Sequence, residues 1–222
     1  AVRAACSGDG KALDTALPTI GEGGLHAIRQ SYLAALARRG VEKPVLTDKL
    51  PGNFRWTGLI LAAFPEAKII HVQREPAATA FSIFRHYFAA GGNTFAYDLD
   101  DIAATYRRYH HLIATFPTPE GGAILPLRYE ELTAAPEATI RALLAHCGLL
   151  FEDGCVAFHT NRRAVRTVSA LQVRNGIYKG SSEAWRRYSH HVPQLEALNG
   201  LLAPAETLAS GPRPQSAQCG SN

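Results

Sequence analysis

Methionine is absent from all 222 residues, tryptophan occurs twice, and the four cysteines form no CxxC pair. A chain that starts at Ala1 and holds no methionine reads as a fragment or a processed chain whose natural start lies elsewhere. Cys6, Cys147, Cys155 and Cys219 are scattered, and even with His146 and His159 beside the middle pair the spacing fits no zinc pattern. The expectation is no metal, and ordinary reduced thiols in a cytoplasmic protein. Long apolar stretches are missing too. The longest, Leu59 to Phe64, is far too short to cross a bilayer, and the N-terminus carries no charged-then-apolar signal pattern. No membrane association is therefore expected. A net charge of +4 excludes the strong basic footprint of a nucleic-acid binder, yet suits an anionic small molecule. No internal repeat is visible.

What is present is an ordinary globular composition, 46% apolar and 19% charged. That is enough for one α/β domain or part of a larger one. Residues 1–24 are rich in Gly and Ala and are expected to be poorly ordered. "LHAIRQSYLAALARRG" has apolar residues at helical spacing and a closing glycine. "PVLTDKLPGNF" starts as a β-rich run and then turns at Pro51 and Gly52. "WTGLILAAF" predicts a buried helix stopped by Pro65, and "AKIIHV" a strand. "PAATAFSIFRHYFAA" predicts a helix with Pro76 at its first position, where a missing N–H costs nothing, and with Gly91 beyond its end. A helix capped by Asp98 or Asp100, a strand ending near Tyr129, and a helix from Pro136 to the stop at Gly148 follow. Residues 203–222 predict a disordered tail. Alternating strands and helices imply a parallel sheet covered by helices on both faces, in three layers. Ligands of such sheets sit beyond the C-terminal strand ends, and Lys49, Arg74 and Tyr129 each follow a strand-like run.

Arg74 stands between a strand and the first turn of a helix. Helix N-termini favour anions, and a guanidinium offers a fork of donors to phosphate oxygens. Thr79, Ser82 and His86 would form a polar stripe on that helix, from which Ser82 could donate to the same anion. The alternative at this point is an arginine that caps a neighbouring strand or pairs with Glu75. Asp48 most simply caps or orients the turn beside Lys49, and Trp185 with Tyr188 reads as a core anchor.

The runs "VLTDKLPGNFRWTGLILAAFPEAKIIHVQREPAATAFSIF", "LPLRYEEL" and "AVRTVSALQVRNGIYKGSSEAWRRY" together resemble the P-loop sulfotransferases. The resemblance is nearest to the bacterial group often fused to tetratricopeptide repeats and similar to tyrosylprotein sulfotransferases. It covers Thr47 to Val192. It implies a P-loop NTPase-like α/β fold in residues 25–202, use of 3′-phosphoadenosine 5′-phosphosulfate (PAPS) as sulfuryl donor, and a hydroxyl acceptor, protein tyrosine among the options. It also implies that tetratricopeptide repeats could lie upstream. In the family the strand-end arginine and a serine eight residues on hold the donor's 3′-phosphate, which gives Arg74 and Ser82. A basic residue one turn later falls on His86, a departure that weakens that contact. The "RYEEL" tyrosine, Tyr129, would approach adenine. Ser169 to Tyr178 would close over the nucleotide, with Gln172 and Tyr178 against it. Lys49 would sit at the transferring sulfonate, Ser169 would support the sulfonate or the leaving oxygen, and a basic role that Ala184 cannot fill is either lost or taken over by Lys179 or Arg186.

One family element is not found. The 5′-phosphosulfate loop reads approximately Pro-basic-Ser-Gly-Thr/Ser and follows the first strand. Ser7-Gly8 is followed by Asp9, whose carboxylate would repel a phosphate, and Gly10-Lys11 lacks Walker spacing. The first strand and this loop are thus expected to be missing, and the piece alone is expected to be weak or inactive. Glu22 is the acidic candidate for the general base. Two other readings share the sheet: a catalytically dead nucleotide-binding or interaction module, and a small-molecule P-loop kinase.

Overall fold

The computed structural model describes residues 20–41, 43–88, 93–116, 122–160, 176–177 and 180–201. The chain divides into two compact units, Ala1–Gln73 with Tyr106–Lys179 and Arg74–Thr105 with Gly180–Asn222. Each is an assembly of short elements around its own small core.

The first unit opens with helix α1 (Glu22–Ala37). It starts earlier than the apolar periodicity suggests, because Glu22 places a negative charge in the first turn, where the helix dipole favours it. At Gly24 an added Cβ would stand 3.1 Å from the Ile20 side chain, which would have to shift slightly to admit it. The helix ends where Gly40 takes φ +66°, a conformation glycine adopts without penalty. Arg29 and Tyr32 of α1 pack on Phe64, the guanidinium 5.0 Å above the ring and the phenol edge-on at 5.3 Å. Phe64 closes helix α2 (Thr57–Ala63) directly before Pro65, as the restricted backbone preceding a proline requires.

The expected β-rich run before Lys49 is not a strand. Val45, Leu46 and Leu50 are 53%, 43% and 62% exposed, and the segment is irregular. A strand holds only if its backbone is paired, and Pro44 removes one donor from this run. The sheet of the described residues has two strands, β1 (Ile69–Gln73) and β2 (Ile124–Arg128), paired in parallel from Ile69↔Ile124 to Gln73↔Arg128. Ile124 and Leu127 are buried. Parallel pairing needs a long crossover, and two helices, α3 (Pro76–Phe84) and α4 (Leu99–Ala114), supply it. After β2 the chain runs straight into α5 (Tyr129–Ala134) and α6 (Pro136–His146). Pro136 sits at the first position of α6, and Gly148 ends it with φ +67°.

The second unit holds α3, the start of α4, a 3-10 turn at Ala184–Tyr188, and α7 (Gln194–Leu201). Asp98 caps α4, its Oδ1 accepting from the N–H groups of Asp100 and Asp101 at 2.8 and 3.0 Å. The core consists of Ala77, Ala78, Ala80, Ala96, Ile102, Ala103, Trp185, Leu195 and Leu198. Alanines on α3 leave no bulk between helices, which lets α7 pack directly on it. The helix expected to run from Pro76 toward Gly91 stops at Phe84. Tyr97 Oη takes both backbone groups of Phe88, accepting its N–H at 3.0 Å and donating to its carbonyl at 3.2 Å. A longer helix would need those groups for itself.

Candidate functional site

The residues singled out from the sequence divide between the two units. Glu22, Lys49 and Tyr129 belong to the first, and Arg74, Ser82 and His86 to the second. Ser169, Gln172, Tyr178 and Lys179 lie outside the described residues.

In the second unit Arg74 follows β1 and is half-buried. Its Nε donates to Ser182 Oγ at 3.2 Å and its Nη2 to the Ser181 carbonyl at 2.5 Å. Ser182 is buried, and Gly180, with φ +95°, turns the chain just before it. The side chain of Glu75 is only 19% exposed. Its Oε2 accepts from Trp185 Nε1 at 2.8 Å, and its Oε1 from Asn199 Nδ2 at 2.7 Å and Arg186 Nη2 at 3.4 Å. Asn199 also caps α3, its Oδ1 accepting the Ala77 N–H at 3.0 Å. Ser82 is exposed on α3. His86 lies past the helix end and contacts Phe88 edge-on at 4.8 Å, so the expected Thr79–Ser82–His86 stripe does not form as a helical face. Trp185 is the expected anchor at 2% exposure, whereas Tyr188 is 49% exposed and stacks on Phe81 at 5.0 Å.

In the first unit Lys49 is exposed and stands in the irregular segment before the 3-10 turn Pro51–Trp56, not at a strand end. Its neighbour Asp48 orients that turn, accepting from Tyr32 Oη at 3.0 Å and Asn53 Nδ2 at 3.5 Å. Burial, followed by the Asp48 hydrogen bond and charge, pushes the Tyr32 phenol up. Phe54 at the far side of the turn packs edge-on against Tyr109 at 5.2 Å. Tyr109 Oη is hydrogen-bonded to His71 Nε2 on β1, and His71 Nδ1 faces Gln73 Nε2 at 3.3 Å. Burial, with Tyr106 second, lifts the Tyr109 phenol to about 12. Burial, with His110 second, lowers His71. The shift favours the neutral imidazole of His71, while a phenol such as Tyr109 is neutral at pH 7 in any surroundings. Glu22 is exposed in the first turn of α1. β1 and β2 end in register at Gln73 and Arg128, so Arg74 and Tyr129 are each the next residue after a strand. Among the described residues no cluster of three His, Cys, Asp or Glu side chains could hold a metal, and no helix is long and apolar enough to cross a membrane.

The sequence reading missed Asn199. The available signal was its place on α7, four residues from Leu195 and one from Leu198, on a helix that buries two leucines. A polar group there needs a buried partner.

A family model described as "Sulfotransferase family" matches residues 22–153. An uncharacterized protein of Aquifex aeolicus (strain VF5) is 41% identical over 184 residues, which is 78% of this chain and 23% of that protein. The chain thus spans about a quarter of the length of this relative. Among solved structures, a "Sulfotransferase Domain from the Curacin Biosynthetic Pathway" shares the fold with a TM-score of 0.55 at 17% identity, covering 79% of this chain and 67% of that one.

Proposed function

The chain belongs to the sulfotransferase family, and from that premise we propose that it serves the transfer of a sulfuryl group from PAPS to a hydroxyl acceptor. One observation carries the reading. Lys49, Arg74, Ser82 and Tyr129, the residues to which the resemblance gives donor-handling roles, all lie inside the matched span. The turn from β1 into α3 supports it, because Arg74 stands there with its guanidinium held rather than adrift.

In this reading Arg74 and Ser82 hold the 3′-phosphate and Tyr129 lies against the adenine. The reaction is an in-line displacement. A bond forms between the acceptor oxygen and sulfur, while the bond from sulfur to the donor's phosphate oxygen breaks. Charge builds on that leaving oxygen, and a fixed cation lowers the barrier most where charge develops. Lys49 supplies it, with Ser169 beside the sulfonate. The acceptor's proton must pass to a base, for which Glu22 is the carboxylate proposed. Gln172, Tyr178 and Lys179 complete the nucleotide contacts, and the transfer itself calls for no metal. The protein works in the cytoplasm, and the acceptor is a peptide, sugar or metabolite hydroxyl.

The test is calorimetric titration of the chain with adenosine 3′,5′-bisphosphate. Binding is expected, and Arg74→Ala should weaken it by about 2 kcal/mol, the scale of a hydrogen bond to a charged group. Equal affinity of parent and variant would overturn the assignment, and tight ATP–magnesium binding instead would favour a kinase.

A further inference from the structure

Two consecutive residues reach into the same downstream stretch. Arg74 donates to Ser181 and Ser182, while Glu75 accepts from Trp185, Arg186 and Asn199. Asn199 grips the turn at two points, the Glu75 carboxylate at 2.7 Å and the Ala77 N–H at 3.0 Å. Both ends of its amide are used: the nitrogen donates to a carboxylate and the oxygen accepts from backbone. Leu195 and Leu198, at 1% and 2% exposure, lock the helix that carries it. The backbone of Glu75, at φ −44° and ψ 128°, is thereby fixed between a strand and a helix. The direction in which the preceding residue projects is fixed with it.

We infer that Asn199 is a positioning residue for donor binding: through Glu75 and the first turn of α3 it holds Arg74 in the orientation in which the guanidinium meets the donor's phosphate. The inference rests on the donor reading given above. A long cationic side chain loses rotamer freedom when it takes an anion, and a turn already held in place reduces that loss. Asn199 touches no ligand in this account. It sets how much of the guanidinium's attraction survives as affinity.

The chemistry of the contact gives a selective test. Asn199→Asp keeps the size of the side chain and the acceptor for the Ala77 N–H, but sets a carboxylate against that of Glu75. Adding Glu75→Gln restores a donor–acceptor pair in the opposite sense. The new amide nitrogen at position 75 then donates to the new carboxylate at position 199, and the amide oxygen still accepts from Trp185. Adenosine 3′,5′-bisphosphate is titrated into the full chain and each variant by calorimetry, with circular dichroism as a check of folding. Asn199→Asp should weaken binding about tenfold, the loss of roughly one charge-assisted contact. The double variant Glu75→Gln with Asn199→Asp should return to within about threefold of the parent. In an Arg74→Ala background Asn199→Asp should add no further loss, because residues acting through one another are not additive. If Asn199→Asp fails to fold, the balanced double variant decides alone, and near-parent affinity supports the inference. Unchanged affinity in Asn199→Asp, no recovery in the double variant, or a full additional loss without Arg74 would each overturn it. A parent chain that binds, with Arg74→Ala weakened and Asn199→Asp not, sinks this inference alone. A parent chain that does not bind sinks the donor reading as well.

Discussion

Each unit has a polar network, and the two are built on opposite principles. In the second unit the centre is a carboxylate, Glu75, surrounded by the donors of Trp185, Asn199 and Arg186. In the first the centre is a half-buried neutral pair, His71 and Tyr109, flanked by Tyr106, His110 and Phe54, in which burial favours the neutral imidazole. A buried charge is costly unless hydrogen bonds answer its lone pairs, so removing one donor exposes a large penalty. A half-buried neutral pair has less to lose, and its imidazole responds to protons instead. The contrast teaches that the unit with Arg74 is organised for fixed geometry, whereas the unit with Lys49 is organised for shape.

The sharpest way to break this contrast is at Trp185. The ring is 2% exposed and carries one of the close donors to Glu75. Trp185→Ala removes both the packing and the donor, and should cost about 3–5 kcal/mol of stability in chemical denaturation. The counterpart in the first unit is Tyr109→Phe, which deletes only the hydroxyl that meets His71. It should cost about 1 kcal/mol, the usual net value of one hydrogen bond. A loss at Tyr109→Phe that equals the loss at Trp185→Ala would erase the distinction between the two networks.

Much of this organisation could be read from the sequence, and the part that could not has a physical reason. Local signals worked where the chain decides for itself. Pro76 and Pro136 open their helices, Gly148 closes one, and Asp98 caps another, because each acts on its own few residues. The strands at Ile69 and Ile124 were visible as apolar runs. The reading failed where distant residues decide. Val45 and Leu46 look like strand formers, but a strand is made by its neighbour, and the exposed segment has no ladder. α3 looks longer than it is, because Tyr97 takes the backbone groups of Phe88. At the site, Arg74 was legible from its place between strand and helix. Its partners Ser181 and Ser182, more than a hundred residues on, were not. The leucine spacing of α7 marks Asn199 as a polar group in need of a partner, but that the partner is Glu75, 124 residues earlier, is not encoded locally.

The smallest expected effect concerns protons. Burial lowers His71 below its ordinary value of 6.5, so the folded state holds fewer protons at this site than the unfolded chain as the pH falls. A group with a depressed folded value contributes stability that is present above its unfolded value and lost on acidification through that value toward the folded one. Stability should therefore decline from pH 7 to pH 5, before carboxylates such as Glu66, which its hydrogen bond and ion pair with Arg29 hold low, begin to take up protons. The decline should be shallower in His71→Asn, which cannot titrate. Parallel urea titrations of parent and His71→Asn at the two pH values check the point. Identical slopes would mean that the neutral pair is not the proton-sensitive centre of the first unit.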